Sequence, residues 1–231
     1  MADQIIEIPL FPLDLVLFPG MVQPLHIFEP RYREMTRFCL DSNISFGVTL
    51  ATPESQFGQE QPERYGTLAR IADYQRLPDG RYNLITVGVQ RFEALELRHE
   101  KPYMSGRVRL LPEDIGAGDI ASLQMETRGL LDDYLSLVLS VMEGGETSIA
   151  VPKDTVELSY FIAVCLPCAD EVKQTLLEAQ TAVDRLTRER ELLRTEIAAI
   201  SAQILDGSAN DCSADGDCPD DAPSADRDHL N

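Results

Sequence analysis

The most apolar stretch of this chain, IPLFPLDLVLFPGMVQPLHIFEPRYREM at Ile8–Met35, is interrupted by Pro9, Pro12, Pro19, Pro24 and Pro30. Proline fixes φ and has no backbone N–H to donate, so it breaks helix interiors and central strands. The stretch therefore folds as several short pieces: edge strands, turns and the start of a helix. That pattern suits a small, strongly bent β structure and excludes a long helix or a flat sheet.

The pattern of the remaining chain extends this division. Up to about residue 117 the signals are those of strands. Arg70–Leu77 and Tyr82–Val89 flank a turn at Pro78–Gly80, which predicts a hairpin. Asn43–Ala51 and YMSGRVRLL read as further strands, and Gly88 marks a bend or a close backbone approach. Pro30 suits a first helical position, with Tyr32, Met35, Phe38 and Cys39 on one face.

From 118 to 206 the period changes to that of helices. DIASLQMETRGLLDDYLSLVLSVM carries a broad apolar stripe through Leu123, Leu131, Tyr134 and Val138. A second helix follows Pro152 and stops at Pro167, a third begins near Asp170, and a long last one starts around Thr181. Ala179, Val183, Leu186, Leu193, Ile197, Ile200 and Ile204 alternate at steps of four and three, with Arg190 in the skipped place. This seam packs within its own bundle; the alternative is a homodimer through the long helix. Asp184–Arg188 and Arg185–Glu189 are expected as supporting pairs along it. Residues 207–231 form an acidic tail without apolar surface, expected to be disordered.

Charge narrows the partners. A formal net charge of -19 disfavours nucleic acid and anionic membranes, which need clustered Lys and Arg. The opening MADQIIEIPL lacks the basic region of a secretory signal, and the apolar run Leu135–Met142 is too short to span a bilayer. Five cysteines, an odd number, argue against a secreted disulfide framework. A soluble cytoplasmic protein is expected.

No catalytic residue can be assigned from spacing. Cys165 and Cys168 have C-x-x-C spacing but close one helix and precede another, outside the strand–helix context of a redox motif. Cys212 and Cys218 would be needed to complete a four-thiolate zinc site with them, and these lie in the tail. No metal and no cofactor is expected. His26, His99 and His229 lack metal-ligand spacing, and packing or a local hydrogen bond is the expected role of His26. A binding surface remains. Phe11, Leu13, Leu15 and Phe18 are large apolar residues on short, Pro-broken pieces; any left exposed form a patch for polypeptide contact.

The pieces PLFPL (Pro9–Leu13), LFPG (Leu17–Gly20), PLHIFEPRY (Pro24–Tyr32), FGV (Phe46–Val48), GTLARI (Gly66–Ile71), GVQRF (Gly88–Phe92) and KQTLLE (Lys173–Glu178) occur in an order that resembles the N-terminal, substrate-binding domain of Lon proteases. The likeness covers roughly residues 5–205. It implies an α+β fold: a PUA-like β pseudo-barrel followed by a helical bundle with a long C-terminal helix. It also implies a module that binds unfolded or degron-bearing polypeptides, as an adaptor or regulator beside a protease. No G-x-x-x-x-G-K-[ST] phosphate loop occurs, and no peptidase segment follows, so a stand-alone, non-enzymatic protein is expected. A thiol or zinc protein using Cys165 and Cys168 is one alternative; an RNA-binding module, which PUA-like folds often are, is the other.

Overall fold

The computed structural model describes residues 4–52, 62–141 and 149–211. Residues 207–211, expected in the disordered tail, instead continue the last helix, and the rest of the tail with Cys212 and Cys218 lies outside the described residues.

The first half is an irregular barrel of six strands: β1 (Ile5–Leu13), β2 (Val22–Ile27), β3 (Phe46–Ala51), β4 (Pro62–Arg76), β5 (Tyr82–Arg98) and β6 (Ser105–Leu110). Their order is β2-β5-β4-β3-β1-β6, and a second pairing of β5 with β6 closes the ring. Closure is possible because β5, at 17 residues, holds β2 and β4 along its first part and β4 and β6 along its second. The expected hairpin is β4–β5, longer than its sequence signal; Gly80, at φ 83°, makes the turn.

The prolines find places that the sequence reading did not foresee. Pro9 and Pro12 lie in β1, which is paired on both sides and is not an edge strand. The strand changes partner midway. Residues 5–9 pair with β6, and residues 10–13 pair in parallel with β3. The Leu10 N–H donates to Met104 O at 2.8 Å, on the β6 side. Backbone groups alternate in direction along a strand, so the Pro9 nitrogen faces β3 before that ladder begins and the Pro12 nitrogen faces β6 after that ladder has ended. Neither ladder loses a donor. Pro24 lies on β2, a true edge strand.

Helix α1 (Pro30–Ser42) begins at Pro30 and caps one end of the barrel. Tyr32, Met35 and Cys39 join Phe11, Leu17, Ile27, Phe46 and Tyr82 in its core, while Ile8, Leu10, Phe92 and Val108 fill the other end. Phe38, expected on the buried face, is partly exposed beneath the Lys101 ammonium, and Thr36 is buried instead.

Four helices follow: α2 (Ile120–Val141), α3 (Thr155–Cys165), α4 (Asp170–Leu177) and α5 (Ala182–Asp211). Local chemistry sets their starts. The Asp154 carboxylate accepts the Val156 and Glu157 N–H groups, and Thr181 with Asp184 forms a reciprocal cap on α5. Leu186 and Leu193 of the long helix are buried against Leu131 and Tyr134 of α2 and Leu158 and Ile162 of α3, so the seam packs inside the chain as far as Ile200, while Ile204 at its end is exposed. Of the expected pairs along α5, Asp184 bonds Thr181, Arg188 donates to Thr175 O, and Arg185 is fully buried. None of the helices among the described residues is long and apolar enough to cross a membrane.

Candidate functional site

The two halves meet across one shared apolar cluster. Val16, Phe18 and Leu50 come from the barrel; Tyr160, Ala163, Leu176 and Leu177 come from the bundle. Beside it runs a buried polar network. Arg91 of β5 donates to Leu177 O and Ala179 O at 2.8 and 2.6 Å and pairs with Glu113 at 3.3 Å. The Tyr160 hydroxyl donates to Glu113 at 2.7 Å. Arg185 donates to Leu176 O, the Ser159 hydroxyl and Tyr160 Oη, and its guanidinium lies 3.9 Å from the centre of the Tyr160 ring. Burial drives the Tyr160 hydroxyl up from its ordinary range and pulls Arg185 down from its own.

An apolar groove of about 610 Å³ opens over this junction. One wall is the loop Pro19–Val22 with Val89 of β5. The other is one face of α3, Val156, Tyr160, Phe161 and Val164, with Pro152; Glu113 and Glu157 are its acidic members. The loop is fixed against β5 at Gly88, which accepts from Gly20 N–H and donates to Met21 O. A Cβ at Gly88 would lie 2.2 Å from Phe18 O, so only glycine allows this approach. The close approach expected there is thus present. Val22, Val89 and Val164 stay exposed at 58%, 43% and 37%. On β5, Ile85 continues the apolar surface beyond Val89, with Pro24 beside it on β2.

The residues expected to bind polypeptide divide differently. Phe11 and Phe18 are core side chains, 8% and 1% exposed, and cannot meet a client directly. Phe11 is drawn into the barrel core against Tyr32 and Phe46, and Phe18 into the cluster shared with the bundle. Leu13 and Leu15 are half-buried against the barrel core, and Leu13 borders a smaller cleft of about 330 Å³ with His26, Phe28 and Arg31. There His26 Nδ1 lies 2.6 Å from Oδ1 of Asn83, its cross-strand neighbour on β5 and not a residue near it in sequence. The lining at Pro19–Val22 belongs to the Pro-broken stretch, but the α3 wall was missed; the one sequence signal for it was α3 being apolar on nearly every side.

Cys165 and Cys168 are free thiols, half-buried against the bundle core. Burial pushes both thiols up from their ordinary range, the opposite of what a reactive thiolate needs. Among the described residues no cluster of His, Cys, Asp or Glu could hold a metal ion.

The fold is thus a bent barrel wedged against a helical bundle, with an apolar groove at the junction. The chain belongs to the ATP-dependent protease La (LON) substrate-binding domain family, whose pattern matches residues 7–195. It is 28% identical over 193 residues to Lon protease 1 of Hydrogenovibrio crunogenus and 26% identical over 202 residues to the Lon protease of Porphyromonas gingivalis, covering 82% and 83% of this chain. It spans only 24% of the length of either relative. Among solved structures it is similar to a Lon N-terminal domain protein from Xanthomonas campestris, with a TM-score of 0.60, 25% identity, and coverage of 79% of this chain and 96% of the other. The N-terminal domain of the Mycobacterium avium complex Lon protease shares the fold, with a TM-score of 0.61 at 17% identity over 81% of this chain and 98% of the other.

Proposed function

We propose that this chain is a non-enzymatic recognition module of the cytoplasm that holds extended apolar segments of unfolded or degron-bearing polypeptides in the groove between barrel and bundle. It would act as an adaptor or regulator beside a protease. The observation that carries this reading is the groove itself: exposed valines on both walls, over a rigid junction, in a chain of the substrate-binding family. The long helix uses its apolar seam on α2 and α3, which favours a single chain over a homodimer through α5.

The test is titration of a fluorescently labelled, permanently unfolded protein against the parent and against Val89→Asp and Val164→Asp. Both positions are exposed, so the variants should melt as the parent does. Each removes apolar burial worth roughly 1.5 kcal/mol, so affinity should fall about tenfold. Unchanged affinity in folded variants would place the site elsewhere, the Leu13 cleft being next. The purified chain should hydrolyse neither ATP nor casein; turnover that survives repurification contradicts the non-enzymatic part.

A further inference from the structure

We propose that the groove selects segments carrying Lys or Arg among their apolar residues, and rejects those carrying Asp or Glu. This rests on the groove being a polypeptide site and adds a charge rule to it. Two acidic side chains, Glu113 and Glu157, line the groove, and no Lys or Arg is among the described residues that line it. Glu113 is held in place by the Tyr160 hydroxyl at 2.7 Å and by Arg91 at 3.3 Å, yet its side chain remains 32% exposed. A carboxylate offers about four lone-pair positions, so acceptor capacity is left for an incoming ammonium or guanidinium. Glu157 is exposed on the first turn of α3, on the face that also presents Tyr160, Phe161 and Val164.

Arg91 is already paired with Glu113, and Arg128 of α2 donates to Pro152 O at the groove edge, so the acidic group chiefly left to meet a ligand is Glu157. Arg91 and Arg185 lie behind Tyr160, buried and hydrogen-bonded to backbone carbonyls and to Glu113, Ser159 and Tyr160. Lys153, outside the lining next to Pro152, is followed directly by Asp154. The net charge of -19 attracts cationic segments from a distance as well.

The experiment uses the full chain and matched fluorescent peptides that share one alternating apolar core and differ only in carrying Lys, Gln or Glu at the flanks. Binding should rank Lys over Gln over Glu, each step up to about fivefold, with the steps shrinking as salt is raised. Glu157→Lys should reverse the order of the Lys and Glu peptides, and Glu157→Gln should narrow it. Asp132→Lys makes the same change in net charge as Glu157→Lys on α2, which contributes no lining residue, and should leave the order intact. Equal affinity for all three peptides overturns the charge rule while the polypeptide reading stands. Binding of none overturns both. A ranking that Asp132→Lys shifts as much as Glu157→Lys assigns the preference to net charge and overturns the role of the groove.

Discussion

Glu189 of α5 is buried, and neither of its carboxylate oxygens has a hydrogen-bond partner among the described residues. Burial drives its pKa well above the carboxylate range, opposed only in part by the charge of Arg185. The folded chain therefore keeps a proton here that the unfolded chain has released above about pH 4.3. With more protons bound in the native state, stability falls as pH rises from there through the folded pKa. Glu189→Gln cannot titrate, so its melting temperature relative to the parent should climb as pH rises above about 4.5, by on the order of 2–4 °C for each kcal/mol recovered. A gap that stays constant with pH contradicts the assignment. Nothing in the sequence marked Glu189 as buried: with Arg185 four residues before it, the pair reads as surface decoration, and only the packing of α3 and α4 over that face encloses both.

At the scale of elements, the helices were legible because their ends are written locally. Pro30 opens α1, Asp154 caps α3 and Thr181 caps α5, each within a turn of the helix it starts. The strands were less so. β1 carries two prolines inside the sheet because it trades β6 for β3 midway, and such a change of partner leaves no periodic trace. The end of α3 carries its own prediction. Cys165 and Cys168 have raised thiols, and Cys39 on α1 is pushed up to about 12, all by burial. The double Cys165→Ser, Cys168→Ser variant should keep its melting transition and its polypeptide affinity, and the parent should carry no zinc. About one zinc per chain, lost in the double variant, would show a metal role. At the same junction, Tyr160→Phe should cost about 1.5–3 kcal/mol, since the hydroxyl bonds to both Glu113 and Arg185, and thermal unfolding checks it.

Across the whole molecule, the groove exists because two halves of the chain share a core. The Pro19–Val22 wall comes from the proline-broken stretch that first drew attention to the β half. The α3 wall comes from far later in the chain and meets it only through the cluster around Phe18 and Tyr160. Of the expected contact residues, Phe11 fills the barrel core under α1 and Phe18 joins the two halves, and neither destination leaves a mark in the local sequence. The central claim is that unfolded polypeptide lies in this groove. Photo-crosslinking tests it most directly, with a photoreactive phenylalanine analogue placed at Val164 on the groove wall or at Met125, 73% exposed on α2. Mixed with an unfolded client and irradiated, the Val164 protein should form crosslinked product while the Met125 protein forms little; equal yields, or more from Met125, would contradict the groove as the binding site.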